Sequence, residues 1–189
     1  MRAQQEQTPG LRSSGKQREY RRQAAWAWAF ILVQAAVVIA AVFLLLLQPV
    51  RVQGASMEPT LQQGEVLLID RLAMYVKTPN RGDMVIFPHP ATGEELIKRV
   101  IAFAGETVEL EAGVVYVDGR ALDEGSYVPA AQGEMAALVV PEGSVFVLGD
   151  NRAESFDSRD PALGCIPLSS LDGIVRLRVA PLDRINLFV

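Results

Sequence analysis

Residues Ala24 to Leu47, AAWAWAFILVQAAVVIAAVFLLLL, form an uncharged run of 24 residues in which Gln34 is the one strongly polar member. At ~1.5 Å of rise per residue a helix of that length reaches roughly 36 Å, enough to cross a hydrocarbon core with some tilt. A cleaved targeting sequence has a shorter apolar core, about 7 to 15 residues, that ends at a small-x-small site. The run here is longer, and Gln48-Pro49-Val50-Arg51 supplies no such site. The run therefore reads as a transmembrane helix over 24–47 that divides the chain into a tail, 1–23, and a domain, 48–189.

Charge sets the expected orientation, because lysines and arginines stay on the cytoplasmic side of a span. The tail carries six basic residues (Arg2, Arg12, Lys16, Arg18, Arg21, Arg22) against Glu6 and Glu19. The remaining twelve basic and twenty acidic residues follow the apolar run, within a chain of net charge −4. The expected topology is a basic cytoplasmic tail, one span of the plasma membrane, and an acidic extracytoplasmic domain with no nucleic-acid surface. Rich in Gln, Arg, Ser and Gly, the tail has too little apolar surface to pack and is expected to be disordered. Trp26 and Trp28 suit an interfacial belt.

Scarcity of two residue types removes whole mechanisms. Cys165 is the one cysteine, so no intrachain disulfide forms. His89 is the one histidine, and one Cys with one His does not build a zinc site of the usual kinds. No metal and no cofactor are expected. A serine-histidine-aspartate triad would have to run through His89, which sits in a rigid Pro88-His89-Pro90 loop and reads as an exposed loop residue.

Beyond the apolar run the sequence consists of short apolar segments between Gly, Pro, Asp and Asn. Candidate strands are 66–69, 84–87, 96–103, 107–110, 114–117, 138–140, 145–148 and 173–180. Asp118-Gly119 marks a hairpin. In the last strand Val175, Leu177 and Val179 alternate with Arg176 and Arg178, which predicts one face in a core and one in water. Residues 48–53 read as a short link and 123–137 as a loop or small flap. The fold class is mainly β, a sheet domain preceded by one transmembrane α-helix.

Three stretches carry chemistry. Gly54-Ala55-Ser56-Met57-Glu58-Pro59-Thr60-Leu61 places one hydroxyl in a proline-bounded turn soon after the span, and Ser56 is the candidate nucleophile. A serine hydroxyl needs a base and an oxyanion site. Leu96-Ile97-Lys98-Arg99-Val100-Ile101 sets a lysine in an apolar strand, where burial lowers its pKa and makes a neutral amine available. The same lysine also reads as a solvated strand residue. Gly149-Asp150-Asn151-Arg152-Ala153-Glu154-Ser155-Phe156-Asp157-Ser158-Arg159 follows an apolar strand and is able to lock itself with Asp-Arg pairs, or to be a solvated loop.

Together, Ser56-Met57-x-Pro59-Thr60-Leu61, Arg81-Gly82-Asp83-Met84-Val85-Ile86-Phe87, Lys98-Arg99-Val100-Ile101 and Gly149-Asp150-Asn151-Arg152-x-x-Ser155-x-Asp157-Ser158-Arg159 resemble the four motif boxes of type I signal peptidases, in the family's order and after an anchor. The single anchor and the short segment between the last two boxes resemble the compact type. The resemblance implies a membrane-bound serine endopeptidase that removes signal peptides from exported preproteins, preferring small residues one and three positions before the cut. It implies Ser56 as nucleophile, Lys98 as general base, Ser155 as a hydroxyl orienting the amine, Asp157 and Arg159 as a structural ion pair, and Asp150 as support. The backbone N–H of Ser56 would be an oxyanion donor; some members add a serine two positions earlier, where this chain has Gly54. The family's Gly-x-Pro-Gly-Asp turn appears as Ala102-Phe103-Ala104-Gly105-Glu106. Substrate is expected beside 84–87, with Met57 and Ile86 as pocket walls. The implied partners are preproteins, the lipid bilayer and, transiently, the translocation machinery. The rival readings are another serine-lysine protease, such as a relative of the self-cleaving repressors, and an inactive anchored domain that binds exported peptides.

Overall fold

The computed structural model describes residues 13–125, 127–128 and 133–188. Contacts divide the chain into two units, Met1–Leu45 and Leu46–Val189. Within the first, helix α1 runs Ser13–Leu46. Among the described residues it is the one helix long and apolar enough to cross a membrane, with a mean hydropathy of 2.1 over Arg18–Ala41. Trp26, Phe30, Leu32 and Ile39 of this helix are exposed to solvent. The helix starts well before Ala24 because Lys16, Gln17, Arg18, Glu19, Arg21 and Arg22 are good helix formers. The expected disorder of the tail is thus replaced by helix from Ser13, and the part of that expectation covering 1–12 lies outside the described residues.

The second unit is built on a large antiparallel sheet. Its strands are β1 (Leu47–Arg51), β2 (Val66–Asp70), β3 (Met84–Pro88), β4 (Glu95–Phe103), β9 (Ser144–Leu148), β10 (Ile166–Pro167), β11 (Gly173–Ala180) and β12 (Asn186–Leu187). The order is β1-β2-β11-β3-β4-β9-β10, with β12 on β11. A second sheet holds β5 (Thr107–Glu111), β6 (Val114–Val117), β7 (Arg120–Ala121) and β8 (Met135–Val139) in the order β7-β6-β5-β8. One four-residue helix, α2 (Ala73–Val76), interrupts the strands.

β3 shows how the sheet is covered. Successive side chains point to opposite faces, and Val85 and Phe87 join one apolar cluster while Met84 and Ile86 join another. Both faces are therefore dry, which is why this strand is continuously apolar. The small sheet packs Val108, Leu110, Val115 and Val117 with Ile101 and Phe146 of the large one in a third cluster.

Two local expectations are corrected here. Residues 47–51 form an edge strand, paired Pro49 to Leu68 and Val50 to Leu67, in place of most of the expected link. Proline is tolerated there because an edge strand leaves one row of N–H groups unpaired. In β11 the alternation fails: register shifts fall between Val175 and Leu177 and between Arg178 and Ala180. A bulge re-aims side chains, and Arg178 is 7% exposed. Its guanidinium donates to Thr60 O at 2.8 Å and to Glu65 Oε2 at 3.0 Å, tying the last long strand to the turn that carries Ser56.

Candidate active site

The turn after β1 is pinned from below. Met57 and Leu61 are 2% and 0% exposed, and the Leu61 N–H donates to Met57 O at 2.8 Å, so one helical turn presses two apolar side chains into the core. Ser56 precedes that turn and stays half-buried at its rim. Gly54 adopts φ 77°, a conformation natural to glycine, and nothing stands within 4 Å of where its Cβ would be. Having no side chain, it offers no second oxyanion donor. Among the described residues no acceptor takes the Ser56 N–H, which leaves it free to donate.

Lys98 Nζ and Ser56 Oγ are hydrogen-bonded at 2.7 Å. The lysine is 2% exposed, within an apolar strand that pairs with β3. Desolvation lowers its pKa from the ordinary 10.5 to about 8, with Asp157 raising it, Arg159 lowering it further and Asp150 raising it. The solvated-lysine alternative is thereby removed: the side chain is buried, and exclusion of water makes its charged form costly.

The stretch 149–159 closes over this pair as a folded loop rather than a solvated one. Asp157 is 1% exposed and accepts from the Gly149 N–H at 3.0 Å. Arg159 grips its two oxygens through Nε at 2.8 Å and Nη2 at 2.9 Å. The Asn151 N–H donates to Ser56 O at 3.0 Å, and Asn151 Nδ2 donates to Ala55 O at 3.1 Å, so the loop holds the backbone of the serine turn. A Cβ on Gly149 would fall 2.1 Å from Ser155 Oγ and 2.5 Å from Ser56 O, which explains the glycine by close approach.

Asp150 and Arg99 form a buried two-pronged ion pair, with Nε to Oδ1 at 2.8 Å and Nη2 to Oδ2 at 2.5 Å. Arg99 also donates to Gly82 O at 2.7 Å and packs its guanidinium 4.0 Å from the Tyr127 ring. Lys98 and Arg99 leave opposite faces of β4, one to the serine and one to an aspartate.

Three expected placements are not met. Ser155 Oγ is buried with no hydrogen-bond partner among the described residues, so it does not bond the Lys98 amine; it packs closely against Gly149. Ile86 is 0% exposed in the core cluster with Leu67 and Ile69, too deep to form a pocket wall. The middle of residues 84–87 offers no free edge, because Val85 and Ile86 are paired with β11 on one side and β4 on the other. The open edge is on β4: its second side pairs with β9 only from Arg99 onward, leaving Glu95–Lys98 without a strand partner there among the described residues. A cleft of about 340 Å³ lies along that edge, lined on one side by Leu96 and Ile97 and on the other by Val52, Gly54, Ser56 and Met57. Met57 is one of the residues lining this cleft. Leu96 and Ile97 were legible only as strand residues, and the role of Glu124, which pairs with Arg152, had no sequence signal at all. His89 stacks on Phe156 at 5.1 Å and does not take part in a triad with Ser56.

Comparison with known proteins gives one consistent family. Residues 25–180 match the family model described as signal peptidase, peptidase S26. The chain is 35% identical to a probable signal peptidase I-1 of Synechocystis sp. over 171 residues, covering 83% of this chain and 86% of that protein. It is 30% identical to a signal peptidase I of Bacillus licheniformis, covering 88% and 94%. A crystal structure of a signal peptidase I from Enterococcus faecalis V583 is 34% identical, with a TM-score of 0.42 over 52% of this chain and 97% of that one.

Proposed function

The chain belongs to the signal peptidase I family, serine endopeptidases that cleave signal peptides from preproteins, and from that premise we propose that it works through Ser56 as nucleophile and Lys98 as general base. The observation that carries this reading is the 2.7 Å contact between Nζ and Oγ in a setting that lowers the lysine pKa to about 8. A neutral amine accepts the Ser56 proton as Oγ attacks the scissile carbonyl carbon. The Ser56 N–H faces the oxyanion that forms. As the tetrahedral centre collapses, the ammonium of Lys98 returns a proton to the leaving amine, and the acyl-enzyme remains. Water then attacks the ester while the same amine takes its proton, and Lys98 returns that proton to Ser56 Oγ as the acyl group leaves as a carboxylic acid. Arg159 on Asp157 and Arg99 on Asp150 neutralise the two carboxylates that otherwise favour the charged lysine.

Substrate lies extended on the open side of Glu95–Lys98, its main chain pairing with that edge. The cleft of about 340 Å³ faces apolar Val52, Met57 and Ile97 and suits small side chains one and three residues before the cut. The apolar helix anchors the chain with the basic tail in the cytoplasm and the catalytic unit outside, where preproteins emerge from the translocation machinery.

The test is cleavage of a preprotein with an Ala-x-Ala site by the detergent-solubilised chain, alongside Ser56→Ala, Lys98→Ala and Lys98→Arg. Product from the parent alone, with its new N-terminus after the second alanine, supports the reading. Cleavage by folded Lys98→Arg refutes the base, because a guanidinium does not deprotonate in this range.

A further inference from the structure

We infer that Glu124, on the segment between β7 and β8, is a positioning residue for Ser56 and acts through Arg152; this deepens the serine-lysine reading and rests on it. Glu124 and Arg152 form an ion pair whose side chains are 9% and 1% exposed. The same guanidinium donates through Nε to Gly149 O at 3.0 Å. Gly149 is the residue whose N–H holds Asp157 at 3.0 Å and whose Cα faces Ser56 O so closely that no Cβ fits. Two residues on, Asn151 grips the carbonyls of Ser56 and Ala55. Contact therefore runs without a gap from the Glu124 carboxylate, through Arg152 and the Gly149-Asn151 turn, to the backbone of the nucleophile.

The charge balance makes Glu124 the controlling member. Among the described residues it is the one acidic partner of Arg152, and Arg152 Nη1 already lacks an acceptor. A buried guanidinium without its carboxylate seeks water, and moving outward breaks its bond to the Gly149 carbonyl. The segment has a second foot three residues later: Tyr127 covers Arg99, the partner of Asp150, and the Tyr127 N–H donates to Glu124 O at 3.1 Å. Glu124 and Tyr127 thus hold both flanks of Gly149-Asp150 from a strap that belongs to neither the serine turn nor the lysine strand.

The experiment compares the full chain with Glu124→Gln, with the double variant Glu124→Leu plus Arg152→Met, and with Ser56→Ala. It reads kcat and KM on the preprotein, the pH midpoint of the rate, and Tm. Glu124→Gln keeps the shape and is expected to lower kcat by about tenfold or more, as misplacement of a reacting group does. KM should stay within about twofold and the pH midpoint near about 8, because neither Glu124 nor Arg152 is among the charges that shift Lys98. The apolar double variant should recover Tm, since such replacements of buried pairs are tolerated. Its kcat should stay low, because the Gly149 carbonyl has lost its donor. Parental kcat in Glu124→Gln, or kcat returning together with Tm in the double variant, overturns the inference while leaving the dyad intact. Cleavage by Ser56→Ala overturns both.

Discussion

Lys98→Met should make the protein inactive and, at neutral pH, more stable. The substitution replaces a buried amine by an apolar side chain of similar length at a site 2% exposed. Folding lowers the lysine pKa from 10.5 to about 8, and the displacement amounts to about 3 kcal/mol at ~1.4 kcal/mol per unit. Between those two pH values the unfolded chain binds a proton that the folded chain does not, so parental stability rises with pH. Below about 8 both forms are protonated and the full penalty is present; above about 10.5 it is gone. The variant has no such group. Its stability advantage over the parent should therefore shrink by about 3 kcal/mol from pH 7 to pH 11, whatever constant offset its packing adds. Urea unfolding of both proteins in the same detergent, at intervals across that range, measures the difference directly. An offset that does not change with pH would mean that Lys98 titrates as a solvated lysine, and no neutral amine would then serve Ser56 at physiological pH.

The same titration governs the rate. With the amine at about 8, the neutral fraction grows about tenfold from pH 7 to pH 9, and kcat/KM should follow it; a flat profile in a steady-state assay contradicts the base assignment. Asp157→Asn removes the buried partner of Arg159, and differential unfolding should show a loss of about 3 kcal/mol. Because Asp157 is the strongest influence raising the Lys98 pKa, the rate midpoint of that variant should move below the parental value, and an upward shift contradicts the electrostatics. Gly149→Ala forces a methyl to 2.5 Å from Ser56 O and 2.1 Å from Ser155 Oγ. Its kcat should fall by about a hundredfold or more as the nucleophile is displaced, and a fully active Gly149→Ala in the cleavage assay would show that the loop yields.

Legibility divided along physical lines. Strands 84–88, 95–103, 107–111, 114–117 and 144–148 were readable to within a residue or so, because each is an apolar or alternating run bounded by turn residues. β1 was hidden by Pro49, which only an edge position makes acceptable, and β10 and β12 are two residues each, too short for any periodicity. Arg178 looked solvent-facing by alternation, yet two bulges that no local pattern announces turned it inward to Glu65. Ile86 and the open edge failed for another reason. Whether an apolar strand is central or free depends on which distant strands pair with it, and β3 is flanked by β11 from the far end of the chain.

By itself the sequence determined a long apolar helix, a mainly β domain, a serine in a tight turn, a lysine among aliphatic residues and a loop rich in Asp and Arg. Those properties depend on residues within a few positions of one another. Tertiary structure alone decided that Lys98 and Ser56, 42 positions apart, meet at 2.7 Å. It also decided that Asp150 takes Arg99, that Ser155 Oγ has no hydrogen-bond partner among the described residues, and that Glu124 reaches Arg152. Each of these is settled by strand pairing and by exclusion of water, and both are properties of the assembled sheets rather than of any one stretch of chain.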